Sequence, residues 1–158
     1  MKNYAIFQTP IGKITVAENG RAITNLLFAG EKPKPDWTEQ ETDLLKKAGA
    51  QLAEYFAFER REFDLPLETE GTPFQRSVWD ALQDIPYGET RSYGQVAAAI
   101  GNPKASRAVG MANHNNPISI IIPCHRVIGA NGSLVGFGGG LDVKDYLLTL
   151  ERKNSETV

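Results

Sequence analysis

A β-branched run, Ile118-Ser119-Ile120-Ile121-Ile122, is stopped by Pro123 and followed at once by the chain's one cysteine, Cys124. So apolar a segment predicts a strand buried on both faces. Proline cannot donate to a ladder, so the strand should end at Pro123. Cys124 then sits at its mouth, fixed from behind and open in front, and rigid placement suits a nucleophile. A lone free cysteine is most often a small buried hydrophobe. Yet the reactive thiolate forms beside cationic or basic groups, and His125 and Arg126 follow directly. With no second cysteine, an intrachain disulfide or a thiol-rich metal site is excluded.

The 158 residues suffice for one medium domain or two small ones. The hydrophobic fraction of 41% supplies a core, and no stretch approaches a membrane span. Gln8, Thr9, Pro10 and Lys13 interrupt the apolar residues near the start, so no signal peptide is read there. One unpaired cysteine without a targeting segment points to a reducing cytosol, hence a cytoplasmic protein with no membrane partner. Net charge is −2. Residues 1–85 carry 10 Lys/Arg and 14 Asp/Glu, whereas residues 86–158 carry 7 and 5. The small basic excess falls in the half that holds Cys124, so salt-dependent phosphate binding should be modest.

Residues 3–29 alternate loosely, with turn signals at Thr9-Pro10-Ile11-Gly12 and a hairpin signal at Asn19-Gly20. Residues 31–37 read as a loop. From Thr38 the period becomes helical, with Leu44, Leu45, Ala48, Leu52, Tyr55 and Phe56 on one face. Phe63 and Leu65 suggest one more short strand, and residues 67–71 a linker. Thr72 and Gln75 form a capping box with Pro73 at the first helical position, ahead of a stripe of Phe74, Val78, Trp79, Leu82 and Ile85. A second box, Ser92 and Gln95, opens a short helix. Gly101-Asn102-Pro103 turns the chain, with Asn102 as cap, into a helix over residues 103–113. Helix, tight turn and helix make a helix-turn-helix, although a plain helical hairpin is commoner. Lys104, Ser106, Arg107, Ala108 and Gly110 are small or cationic and would let that helix approach a nucleic-acid groove. Residues 129–140 read as a glycine-rich substrate lid. The last helix starts near Leu141, turns Val143, Tyr146, Leu147 and Leu150 inward, and ends at Glu151.

Pro123-Cys124-His125-Arg126-Val127 resembles the active-site motif of the O6-alkylguanine-DNA alkyltransferases, the DNA-repair methyltransferases. Arg107-Ala108-Val109-Gly110-Met111-Ala112 and Asn116-Pro117 stand upstream at the family's spacing. Gly71-Thr72-Pro73-Phe74-Gln75, Ile85-Pro86-Tyr87-Gly88 and Gly139-Gly140-Leu141 with Lys144, Leu147, Leu148 and Glu151 match too. The resemblance is dense from Thr72 to Glu151 and looser before it. It implies an α+β chain. A small structural N-terminal α/β domain, ribonuclease H-like, would span 1–66. After the 67–71 linker, a mainly helical domain with a winged-helix-like helix-turn-helix would span 72–158 and carry DNA binding and alkyl transfer.

The implied reaction is displacement of the alkyl group of O6-alkylguanine by the Cys124 thiolate, without metal or cofactor. The thioether is irreversible, so each molecule acts once. O4-methylthymine is left open as a second substrate. The resemblance makes His125 the base, through a water, and Glu151 the group that orients it. Asn116 ties the helix-turn-helix to the active-site strand. The partner is double-stranded DNA, bound through the minor groove by a monomer, with the base flipped out. Arg107 would fill the gap and Tyr93 would crowd the phosphate and donate to the guanine; Ser106, Ala108 and Gly110 complete the DNA face. Tyr93, Met111, Val127, Phe137, Gly138 and Lys144 would line the pocket. Phe137 stands where many members have tyrosine and Gly138 where some have serine, which leaves pocket selectivity open. Relatives that bind alkylated DNA without catalysis lack the cysteine, so Cys124 argues against that alternative. A cysteine hydrolase would need a separately placed histidine, and the only other one is His114.

Overall fold

Two turns build the first sheet of the computed structural model, which describes residues 1–133, 137 and 139–156. Strand β1 (Asn3–Thr9) pairs antiparallel with β2 (Gly12–Glu18), and β2 with β3 (Ile23–Leu27). Gly12 holds φ +100° at the first turn, a conformation costly for other residues. At the second, Asn19 Oδ1 accepts from the amides of Arg21 and Ala22, both at 3.0 Å. The helical period was expected from Thr38, but Thr38–Glu39 forms β4, parallel to β1 and giving the order β3-β2-β1-β4. Helix α1 (Asp43–Phe56) starts where Thr42 accepts from the Leu45 amide. It buries Leu45, Ala48, Leu52, Tyr55 and Phe56 as the spacing predicts, whereas Leu44 is only half-buried.

Phe63 and Leu65 form no strand. The buried Gln51 side chain takes the place of a ladder, donating to the Asp64 carbonyl at 3.0 Å and accepting from its amide at 2.9 Å. Just beyond, the Ile23 amide donates to the Pro66 carbonyl and the Glu68 amide to the Ile23 carbonyl. The chain divides into two units, Met1–Thr69 and Glu70–Val158.

In the second unit, helix α2 (Pro73–Gln83) and helix α3 (Tyr93–Ala99) both open on complete capping boxes, as read from the sequence. Strand β5 (Arg91–Ser92) leads into α3 and pairs parallel with β6 (Val127–Ile128). After α3, Gly101 (φ +80°) donates to the Ala98 carbonyl and Asn102 to the Ala97 carbonyl, a Schellman stop. Asn102 does not cap the next helix: its carbonyl closes a turn with the Ala105 amide at 3.0 Å. Helix α4 (Ser106–His114) therefore starts after Ala105, without a side-chain cap.

The isoleucine run is buried but is not a strand. Ile120 adopts φ +72°, a rare conformation for a β-branched residue. The chain closes on itself through Ile121 N to Ser119 O at 2.8 Å and Ile122 N to Ile118 O at 2.9 Å. Buried backbone groups need partners, and the Asn116 side chain supplies two of them. It accepts from the Ile118 amide at 3.0 Å and donates to the Ile122 carbonyl at 2.8 Å. An apolar run reports burial; it does not report which partner satisfies the backbone.

Helix α5 (Leu141–Glu156) does not end at Glu151 but continues past it. Its inward residues are Lys144, Leu147, Leu150, Glu151 and Asn154, whereas Tyr146 is 40% exposed. The inward face was misread because two of its members are ionisable. Among the described residues no helix is long and apolar enough to cross a membrane.

Candidate active site

Cys124 opens a 3-10 turn, Cys124–Arg126, directly after the coiled isoleucine segment. It is 3% exposed, and its thiol donates to Ser119 Oγ over 3.9 Å. Burial pushes the thiol pKa up; Asn116, Ser119 and the charge of Lys144 pull it back in part. The resting sulfur is thus a protonated thiol that needs a base. Arg126 is not the cation beside it, contrary to the sequence reading. Its guanidinium faces Glu151 and the Ile85 carbonyl, and the cation acting on the sulfur is Lys144. Lys144 is fully buried and donates to the Val127 carbonyl at 2.6 Å, with the Phe137 ring 6.0 Å from Nζ.

Cys124, His125, Asn116 and Glu151 are brought together as expected from the motifs. His125 is 0% exposed, and its Nε2 lies 2.6 Å from Glu151 Oε2. Arg126 grips the same carboxylate through Nε to Oε1 at 2.8 Å and Nη2 to Oε2 at 3.0 Å. The Gly88 amide adds a bond to Oε1 at 3.3 Å. Burial works against this carboxylate, but the His125 N–H and the Arg126 guanidinium override it and hold the acid well below the usual carboxylate range. Burial likewise pushes His125 below its ordinary value, with Glu151 opposing and Arg126 and Lys144 assisting. A neutral imidazole beside a carboxylate carries its proton on Nε2. That leaves Nδ1 as an acceptor, and it has no partner among the described residues.

Helix α4 has one exposed and one buried face. Arg107, Ala108 and Met111 are exposed, Met111 at 64%. Val109, Ala112 and Asn113 are buried. Ser106 and Gly110 are half-buried, and a Cβ at Gly110 would touch the Tyr93 ring at 3.8 Å. Tyr93 is itself half-buried; burial and the neighbouring Cys124 raise its pKa, so the phenol stays a donor. Gly138 lies outside the described residues. Sequence reasoning missed Ser119 and Asn113, and it gave Arg126 the wrong partner. Ser119 was visible as the one polar residue inside the isoleucine run; Asn113 gave no signal.

Descriptions of known families agree with this geometry. Residues 73–153 match the model for the 6-O-methylguanine DNA methyltransferase DNA-binding domain, and residues 2–69 that family's ribonuclease-like domain. The chain belongs to the 6-O-methylguanine DNA methyltransferase family. A methylated-DNA–protein-cysteine methyltransferase of Methanosarcina acetivorans is 56% identical over 94% of this chain and 97% of its own. The constitutive one of Bacillus subtilis is 49% identical, covering 96% of each chain. The crystal structure of Mycobacterium tuberculosis OGT in complex with DNA superposes with a TM-score of 0.92 at 50% identity. It covers 96% of this chain and 94% of that one. In this methyltransferase the family's sheet-bearing first unit and helical second unit recur, and its one cysteine is the residue buried beside His125.

Proposed function

We propose that this chain is a suicide DNA-repair protein that moves the alkyl group of O6-alkylguanine onto Cys124. The observation that carries the reading is the buried Cys124 beside a neutral His125 whose Nδ1 has no partner among the described residues and whose Nε2 is fixed by Glu151 and, behind it, Arg126. His125 takes the thiol proton through a bridging water. The thiolate attacks the alkyl carbon in line, the S–C bond forms and the C–O bond breaks. Tyr93 donates to the purine ring as charge moves onto it. The proton ends on the released guanine, and no cofactor takes part. Asn116 holds the nucleophile's segment to the end of α4. Met111, Val127, Phe137 and Lys144 border the base.

The second unit carries DNA binding and transfer, and the first is structural. The exposed face of α4 enters the minor groove of duplex DNA, with the protein acting as a monomer in the cytoplasm, whose reducing conditions keep Cys124 free. Mass measurement after incubation with a methylated oligonucleotide tests the function: the chain should gain one methyl group, located at Cys124. An unchanged mass with DNA bound would favour a lesion binder, and multiple turnovers a hydrolase.

Arg107→Ala is expected to slow repair in duplex DNA at least tenfold more than reaction with free O6-methylguanine. Arg107 is assigned to holding the flipped state, whose cost of a few kcal/mol exists only in a duplex. Parallel rate measurements on both substrates check this, and equal losses would assign Arg107 elsewhere.

Methylated protein should melt at a lower temperature than unreacted protein. Sulfur methylation adds volume at a site 3% exposed, and overpacking typically costs about 1–3 kcal/mol. Melting curves of matched samples, before and after stoichiometric reaction, decide it.

A further inference from the structure

Asn113 sits on the buried side of α4 and is 2% exposed. Its Nδ2 donates to the carbonyl of Cys124 itself, at 3.3 Å. A carbonyl only accepts, so this bond fixes which end of the amide is nitrogen. Oδ1, at the other end, is buried and has no hydrogen-bond partner among the described residues. An unpaired buried acceptor is uncommon and calls for a donor. The reacting base offers one. Alkylation of O6 removes the hydrogen from N1, so the 2-amino group becomes the only N–H donor left on the base of an O6-alkylguanine nucleotide. O4-alkylthymine has lost its N3 hydrogen and keeps no N–H at all.

We propose that Asn113 is a specificity-determining residue, its Oδ1 accepting a hydrogen bond from the 2-amino group of the flipped O6-alkylguanine. This rests on the reaction assigned above. The amide is tied to the backbone of the nucleophile, so the acceptor and the sulfur are held as one piece. The amino group and the alkylated oxygen flank N1 on the same edge of the purine. A base that places its 6-substituent at Cys124 therefore turns its 2-position toward the same residue's surroundings. A pocket with a buried acceptor favours the ligand that satisfies it, since the analogue without the donor leaves that acceptor unpaired.

The test compares single-turnover rates on single-stranded oligonucleotides carrying O6-methylguanine or O6-methylhypoxanthine, which lacks only the 2-amino group. Single strands remove the cost of opening a duplex. The unsubstituted chain should prefer O6-methylguanine by about tenfold. In Asn113→Leu, the preference should fall toward unity through a loss confined to the guanine substrate. Asn113→Met fills the same space with a longer apolar chain and provides a second folded background. Circular dichroism identifies the variants that fold. A purely structural role for Asn113 would lower both rates together and leave their ratio intact. An unchanged ratio in either folded variant overturns the proposal, as do equal rates on both substrates with the unsubstituted chain. Methyl transfer from O6-methylguanine to that chain reports separately on the reaction itself.

Discussion

Cys124→Ala should lose all alkyl transfer while its affinity for DNA stays within about twofold of the unsubstituted chain, roughly the 0.5 kcal/mol typical of a substitution away from the binding contacts. The thiol is the only one in the chain, so no other cysteine exists to take over. The substitution removes only a sulfur whose bond to Ser119 is 3.9 Å long. The bonds that shape the segment use the Cys124 backbone, including those from its amide to the Ile122 carbonyl and from Asn113 to its own carbonyl. Those survive in alanine. The exposed Arg107, Ala108 and Met111 lie on the other face of α4 and are untouched. Radiolabelled methyl transfer and a DNA-binding titration on the same preparation check the prediction. Residual transfer by the alanine variant would overturn the mechanism. Loss of binding would show that the thiol also supports the DNA face.

Glu151→Ala should be the most destabilising single substitution in the second unit, by about 3–5 kcal/mol, because it leaves a buried guanidinium without its counter-ion. Among the described residues Arg126 would keep its bond to the Ile85 carbonyl and its approach to the Tyr87 ring, 5.6 Å away. The milder Glu151→Gln retains the shape and isolates the charge. It should slow transfer by about a hundredfold or more, since His125 loses the group that fixes its proton on Nε2. The pH dependence separates these roles. The carboxyl of Glu151 is held below its unfolded value of about 4.3. Its stabilisation is therefore complete above that pH and declines as acid approaches the lower folded value. His125 is held neutral by burial, so acid favours the unfolded chain from about pH 6.5 downward. Both groups make stability fall with acid. In Glu151→Gln the carboxylate's share below about pH 4.3 should disappear. Urea unfolding midpoints between neutral and acidic pH provide the measurement, and parallel curves for the two proteins would contradict the assignment.

Local chemistry determined much of this protein before any packing was known. Thr72 with Gln75 and Ser92 with Gln95 cap their helices because the partners lie three residues apart. Asn19-Gly20 turns a hairpin for an equally local reason. The position of Cys124 behind a buried apolar run was legible too, since apolar residues report burial wherever they go. Tertiary structure alone decided how that run was satisfied: Asn116, reaching from the end of α4, replaced the expected strand ladder with a coil. In the same way Gln51 stood in for a strand at Asp64. The role of Arg126 was also a matter of packing. Adjacency to Cys124 suggested a cation for the thiol, but neighbouring side chains diverge, and the guanidinium meets Glu151 across 25 positions of sequence. Lys144 and Glu151 were not among the residues that the helical pattern turned inward, yet both are fully buried because their partners, the Val127 carbonyl and the His125–Arg126 pair, come from another part of the chain. A charge can enter a core only with its complement, and no period within one segment announces a complement carried by another.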